Sequence, residues 1–354
     1  MTVTLTQMLL AWYDLHGRDL PWRRNPTPYS ILVSEIMLQQ TRVEAVLPTY
    51  ERFMQRFPTL QDLAAASQDE TLTFWQGLGY YSRARRLHQA AQIIASEHQG
   101  RIPDDRRILR SLPGIGDYTC GAILSMAFSQ SILAMDGNLL RVGARLFVIE
   151  EPINRMKAKG QIQTKFEAMI PAQRPGDFNQ ALMDLGSEVC LPRQPRCQAC
   201  PISRHCQAFL QDRTLDLPRK VAPKAPLPVQ VHVYLVESKG FVLLRKRTAG
   251  GFLQGLWELP WHEAHFGAGR VLPSVAEESH WLLSCLKGQD PLEVRRMDYV
   301  FSHRHWFMTI FCHALEEPFY LPREENIQYR WQPWETMEEI ALPTVFKRAL
   351  KARP

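Results

Sequence analysis

The sequence predicts two domains of different class, an all-α region followed by a smaller α+β domain. Three observations predict it. From residue 1 to about 213, apolar residues recur at helical spacing and sustained alternation is absent. Residues 214–230, TLDLPRKVAPKAPLPVQ, carry four prolines among several basic residues and read as an extended, semi-rigid linker. From residue 231 to 354 the period changes to two and strands become the best reading.

The N-terminal stretch MTVTLTQMLLAWYDLHGRDL has no basic leader and interrupts its apolar positions with polar ones, so it reads as an amphipathic helix and not a signal peptide. Helical spacing recurs in Ile31-Leu32-x-x-Glu35-Ile36-Met37-Leu38 and in Leu87-x-x-x-Ala91-x-Ile93-Ile94, with Leu72-x-Phe74-Trp75 a weaker helix signal between them. Pro48, Pro58, Gly77-x-Gly79 and Gly100 read as breaks. In the second domain, Val231–Val236 and Phe241–Leu244 read as strands joined by a hairpin at Ser238-Lys239-Gly240. A helix around Val275–Leu286, strands at Met297–Phe301 and Phe307–Phe311, and a helix after Pro343 complete it. No apolar run approaches the length needed to span a bilayer. The net charge of +6 suits a polyanionic partner without demanding one.

Four stretches carry chemistry. In LPGIGDYTCGAILSMAFSQSILAMDGN, Leu112–Asn138, two glycines alternate with apolar residues at Pro113-Gly114-Ile115-Gly116, and an apolar helix Tyr118–Phe128 follows. Glycines that admit positive φ let N–H groups face an anion, and a helix starting at once adds its dipole, so the turn suits a phosphate. The segment then reaches Asp136, followed by Gly137 and Asn138. The cysteines Cys190, Cys197, Cys200 and Cys206 pack C-x6-C-x2-C-x5-C into one short loop, which suits zinc or an iron–sulfur cluster; spacing does not choose. In SEIMLQQTR, Glu35 sits among apolar residues where desolvation would fit it to donate a proton, and Gln39, Gln40 and Thr41 are uncharged groups able to reach base edges. In QGLGYYSRARR a glycine-loosened turn presents Leu78, Tyr80 and Tyr81 ahead of Arg83, Arg85 and Arg86, a pattern for stacking, wedging and phosphate contact.

Taken together and in this order, these stretches resemble the endonuclease III superfamily of helix-hairpin-helix DNA glycosylases, and within it the MutY-type adenine DNA glycosylases. The resemblance covers the helical part and, more loosely, the rest, which resembles a Nudix (MutT-like) fold. It implies a helix-hairpin-helix glycosylase region over residues 1–213, a linker over 214–230 and a Nudix-like domain that recognises 8-oxoguanine over 231–354. It favours a [4Fe-4S] cluster over zinc on the four cysteines. It implies that Glu35 is the catalytic acid, that Asp136 faces the developing oxocarbenium sugar, and that Tyr118 and Asn138 orient sugar and carboxylates. Trp22, Arg23, Leu38 and Gln180 would shape the adenine pocket. Gln40, Thr41, Leu78 and Tyr80 would fill the gap and touch the opposite base, and Phe301, Ser302 and His303 would read 8-oxoguanine.

At Tyr118, where lyase members of the superfamily carry a lysine, a phenol cannot form a Schiff base, which implies hydrolysis by water. The expected substrate is double-stranded DNA with adenine opposite 8-oxoguanine or guanine. Nudix catalysis needs a glutamate-rich helix, whereas PSVAEESHWLLSCL offers only Glu277-Glu278, so no pyrophosphatase activity is expected. The resemblance further implies a monomer without membrane attachment, cytoplasmic, and nucleoid-associated in a bacterium. The competing readings are a glycosylase/lyase of the same fold and a non-enzymatic iron–sulfur DNA-binding protein. The acidity of Asp117 at the phosphate turn is left open.

Overall fold

A helix that is apolar on almost every side must be enclosed on every side, and α3 (Pro28–Leu38) is such a helix, with Tyr29 through Met37 all buried. It packs against α4 (Val43–Arg56), α7 (Ser82–Glu97) and α9 (Asp117–Phe128). The computed structural model describes residues 4–222, 224–247, 252–264, 281–322 and 327–351. Contacts divide the chain into two compact units, Met1–Ala66 with Ser82–Ala222, and Ser67–Tyr81 with Pro223–Pro354.

The first unit has no strand among its described residues. Its N-terminal helix Leu5–His16 is set by a capping box, Thr4 accepting from the Gln7 N–H while the Gln7 side chain accepts from the Thr4 N–H. Pro48, expected to break the chain, lies inside α4. It sits on the exposed face, while Val46, Thr49, Tyr50 and Phe53 bury the opposite one, and that packing holds the helix through the missing N–H. The stretch expected as linker also differs at its start. Leu217 is buried, Ile153 N–H donates to the Arg219 carbonyl, and Asn154 bonds the Val221 backbone twice, so residues 214–222 are strapped to the helices. At its other end the first strand already begins at Leu227.

The second unit is built on one mixed sheet. β1 (Leu227–Ser238) pairs in parallel with β6 (Arg304–Leu315) along its whole length, from Leu227 opposite Arg304 to Ser238 opposite Leu315. β2 (Phe241–Arg247) follows β1 through the expected hairpin, whose turn is the two residues Lys239 and Gly240, with φ of 48° and 82°, while Ser238 pairs with Phe241 in the ladder. The strand order is β3-β2-β1-β6-β5, with β3 (Trp257–Glu258) and β5 (Glu293–Val300) at its ends, β4 (Trp261–Glu263) on β1 and β7 (Ile327–Pro333) on β2. The strand β7 has no counterpart among the expected elements. The C-terminal helix Thr344–Leu350 buries Val345 and Phe346 against one sheet face, and Leu282 and Leu286 cover Tyr234, Val236 and Leu243 on the other. Coverage of both faces explains why Val231–Val236 reads as a nearly continuous apolar run. The expected helix from Val275 falls partly outside the described residues, and Glu277 and Glu278 lie wholly outside them.

A closed charge network pins β2 to β3. Arg245 and Glu258, both without exposure, meet at 2.9 Å, and Glu258 accepts a second bond from the Trp261 indole at 2.9 Å. Removing one member leaves its partner charged, buried and unpaired. Glu258→Ala should therefore destabilise this unit by about 3–5 kcal/mol, read as faster native-state hydrogen exchange along β2. Unchanged protection there would contradict the account.

Candidate active site

The hairpin between α8 (Arg106–Ser111) and α9 is set by one obligatory glycine and one buried anchor. Gly114 has φ of 82°, and a Cβ there would lie 2.9 Å from Cβ of Arg86. Ile115 is buried, and its N–H donates to the Leu112 carbonyl at 3.2 Å. Gly116 caps α9 without a side-chain bond, so the first helical N–H groups keep their capacity for an anion. The carboxylate of Asp117 is drawn back to Arg110 on α8, at 2.5 Å, which answers its placement beside a phosphate turn. The hairpin opens on a cleft of about 750 Å³ that also takes in Leu38, Gln40, Tyr118 and Asp136.

Tyr118 and Asp136 line this cleft, and Glu35 is joined to it through Tyr118. Glu35, on the last turns of α3, is 3% exposed. The Tyr118 hydroxyl, from the first turn of α9, donates to Glu35 Oε2 at 2.5 Å. Asp136 is the N-cap of α10 (Gly137–Leu146), its Oδ1 accepting from the Leu139 N–H at 2.7 Å and its Oδ2 from the Asn138 amide at 2.7 Å.

Burial pushes the Glu35 carboxyl up to about 7, aided by the charge of Asp136 and opposed by the Tyr118 bond and the Arg23 charge. Burial also raises Asp136, but two backbone N–H groups and the Asn138 amide oppose the rise. Burial, together with the negative charges of Glu35 and Asp136, holds the Tyr118 phenol well above its ordinary range, so it stays a donor. The carboxyl with one phenolic donor is suited to carry a proton, whereas Asp136, raised on balance by burial, has donors at both oxygens that favour its charged form.

Side chains that motif reading missed hold this arrangement. Asn138 Oδ1 accepts from Arg141 at 2.8 Å, and Arg141 also donates to the Gly186 and Cys190 carbonyls at 2.7 and 2.8 Å. A Cβ on Gly186 would fall 2.5 Å from Cβ of Asn138, so a small residue is required there. Buried Asn179 accepts from the Ala134 N–H and donates to Ser125, Ile132 and Pro175, steadying the loop that leads to Asp136. The spacing of Asn138, Arg141 and Arg145 places them along one helical face, a signal present in the sequence.

The residues expected around adenine divide. Trp22, Arg23 and Gln180 line a separate cleft of about 200 Å³ with Tyr13 and Ile31, whereas Leu38 belongs to the hairpin cleft. Arg23 is fixed by Asp184, through two bonds of 2.7 and 3.0 Å, and Arg18 joins the same carboxylate at 2.7 Å. Burial pushes the Asp184 carboxyl up, but the two arginines outweigh it and hold it below the usual range.

Gln40 is exposed in a left-handed conformation, φ 58°, while Thr41 Oγ1 accepts from Arg83 at 3.0 Å. Arg83 is buried and donates to the Ile36, Met37 and Gln39 carbonyls, so it caps α3 and does not face phosphate. Gln39 likewise turns inward, to Thr119 Oγ1 at 3.1 Å.

Leu78, expected as an exposed wedge, is buried within the second unit, and the exposed ring of that turn is Tyr80. In the same unit Phe301-Ser302-His303 forms the β5–β6 turn, closed by the Phe301 N–H on the Arg304 carbonyl at 2.7 Å. Ser302 Oγ lies 3.0 Å from the Tyr80 hydroxyl.

The four clustered cysteines are unbonded and partly exposed. Burial pushes the Cys200 thiol up to about 12, and Cys190, Cys206 and Cys197 each add to the rise. Buried Arg145 donates to Cys190 Sγ at 3.3 Å and to the Leu191 and Pro192 carbonyls. Mutually opposed thiols with a buried cation beside them fit a cationic group that binds thiolates. Among the described residues no three His, Cys, Asp or Glu side chains come together as ligands of a single ion.

Residues 33–171 match the HhH-GPD superfamily of base excision DNA repair proteins, and residues 231–352 match the NUDIX domain. A structure described as a thermostable thymine-DNA glycosylase aligns with a TM-score of 0.54 and 29% identity, over 58% of this chain and 95% of that one. Fold and site thus define a DNA glycosylase of the helix-hairpin-helix class, joined to a Nudix-like domain.

Adenine DNA glycosylase of Rattus norvegicus is 33% identical over 97% of this chain and 76% of its own length. That of Homo sapiens is 37% identical over 71% of this chain and 56% of its own. The chain belongs to the adenine DNA glycosylase family, as the resemblance led us to expect.

The buried carboxyl has a thermodynamic signature. Because the folded pKa of Glu35 is raised, its contribution to stability is complete below the usual 4.5 and is lost as pH rises through about 7. That shift corresponds to about 3 kcal/mol at about 1.4 kcal/mol per unit. Relative to Glu35→Gln, which cannot titrate, the wild type should lose up to about 3 kcal/mol between about pH 5 and about pH 8. Urea unfolding of both proteins measures it, and a pH-independent difference would refute the assignment.

Proposed function

We propose that the enzyme hydrolyses the N-glycosidic bond of adenine mispaired with 8-oxoguanine or guanine in duplex DNA. The observation that carries this is the meeting of Glu35, Tyr118 and Asp136 beside the hairpin cleft. The target bond is inaccessible inside a base stack, so the adenine is flipped out first. The hairpin and the start of α9 hold a backbone phosphate as it turns.

Glu35 carries a proton near neutral pH and delivers it to N7 of the purine, so that the base departs neutral. Asp136, whose capping donors favour its charged form, faces the sugar as positive charge develops there, and water completes the hydrolysis. Tyr118 holds Glu35 in place, and Asn138 holds Asp136. With a phenol at 118 no amine attacks the sugar, so the reaction is monofunctional.

Trp22, Arg23, Leu38 and Gln180 shape the adenine site. Gln40, Thr41 and Tyr80 approach the opposite base, with Leu78 packed beneath that turn, and Phe301, Ser302 and His303 read 8-oxoguanine. Cys190, Cys197, Cys200 and Cys206 would hold a [4Fe-4S] cluster that cross-links the loop after α12 (Pro175–Asp184), Arg145 supplying positive charge to Cys190.

Glu35→Gln and Asp136→Asn should each slow single-turnover adenine release from an adenine:8-oxoguanine duplex by at least about 100-fold while duplex binding persists. Strand breakage should appear only after alkali, and borohydride should trap no covalent complex. Near-normal release by either variant, or breakage without alkali, would sink the mechanism. The purified protein should contain iron and acid-labile sulfide, both reduced in Cys197→Ser. Zinc in their place would exclude the cluster.

A further inference from the structure

The basic run Arg245-Lys246-Arg247 on β2 is only partly accounted for by the core of the second unit. Successive side chains of a strand point to opposite faces. Arg245 and Arg247 turn inward, to Glu258 and to the face of Trp261. Lys246 turns the other way, and its Nζ meets both carboxylate oxygens of Asp69, at 2.5 and 2.7 Å, across 177 positions of sequence.

Asp69 lies in the first turn of α6 (Gln68–Phe74), which leads into the glycine turn carrying Tyr80. Further bonds follow along the same limb. The Gln76 amide donates to the Ile340 carbonyl at 2.5 Å, and Lys347 donates to the Gln76 carbonyl oxygen at 3.0 Å. The Tyr81 hydroxyl donates to the Leu342 carbonyl at 3.5 Å. The limb therefore belongs by contact to the C-terminal residues, although it falls within the stretch matching the HhH-GPD superfamily.

The turn has little conformational preference of its own. Gly77 and Gly79 have φ of 98° and 65°, with no neighbouring atom near the position a Cβ would take, and Tyr80 adopts φ 46°, uncommon for a non-glycine residue. Bonds within it include those of the Leu78 N–H and the Trp75 indole, to the Trp75 and Gly79 carbonyls. A turn that passes through two positive-φ glycines can be shaped by what holds its two ends.

We propose that residues 67–81 are a specificity limb controlled by the C-terminal domain. Asp69, Lys246, Gln76 and Lys347 act as positioning residues that set Tyr80 against Ser302 when the base opposite the adenine is read. This rests on the reading that Tyr80 and Ser302 take part in that recognition.

The test uses full-length protein: wild type, Asp69→Lys, Lys246→Asp, and the double charge swap. Single-turnover adenine release is compared on duplexes with 8-oxoguanine and with guanine opposite, because their ratio cancels any uniform change in phosphate attraction. The wild type should prefer 8-oxoguanine. Each single reversal should lower that preference by at least about threefold, and the double swap should recover it to within about twofold, as a restored ion pair requires.

Lys347→Met, which removes one tie without reversing a charge, should lower the preference in the same direction and decides the matter if the reversals fail to fold. Unchanged preference in the single variants, or a double swap that recovers nothing, would overturn the limb while leaving the opposite-base reading intact. A wild type without preference overturns both.

Discussion

A carboxyl group shut away from water is the constraint around which the helical unit is organised. Glu35 is buried in a helix whose other residues are uncharged and mostly apolar, and an isolated charge there would be too costly to keep. The fold answers with a proton and one phenolic donor in place of a cation in direct contact. That choice dictates the rest. Tyr118 must arrive one residue into a helix, so the helix must begin at a turn, and the turn presents backbone N–H groups at a cleft. The geometry that makes Glu35 an acid is therefore the same geometry that forms the hairpin.

Asp136 sits close enough to raise the proton affinity of Glu35, and its own burial is offset in part by a helix N-cap. A helix N-cap is the standard place to stabilise an anion, because orphan N–H groups and the dipole both point at it. Burial raises both carboxyl groups, and at Asp136 the backbone N–H groups and the Asn138 amide oppose that rise. The bonds from Arg141 and Arg145 then tie that cap and the cysteine loop to one helix face.

Much of this was legible because its grammar is local. Helical period, the glycine turn, the hairpin at Lys239-Gly240 and the cysteine spacing are each properties of a short stretch. What could not be read is mostly long-range pairing. Glu35 meets Tyr118 across 83 positions and Arg18 meets Asp184 across 166, and no spacing rule links them. Arg83 read as a phosphate contact because a cation after a turn is usually solvent-facing, whereas three carbonyls at the end of α3 claim it. Pro48 read as a break because propensity was weighed without the packing of the opposite helix face. The adenine pocket was split for a related reason: Leu38 follows Glu35 by three positions, but it lies where α3 ends and faces the hairpin cleft.

The boundary between domains is the deepest of these mismatches. Sequence drew it once, at the proline-rich segment, because composition changes there. Contacts draw it differently: residues 214–222 stay with the helices, while residues 67–81 leave them for the sheet. A limb that departs from one unit, joins another and returns can be directed by the unit it joins, even though its chain neighbours carry the chemistry. Leu78 shows the consequence. On composition it was a free apolar wedge, but inside the second unit it is covered, and the polar ring of Tyr80 takes the exposed position next to Ser302. On the proposed reading, chemistry and discrimination belong to separate units, and discrimination follows how a glycine-rich turn is held at its ends.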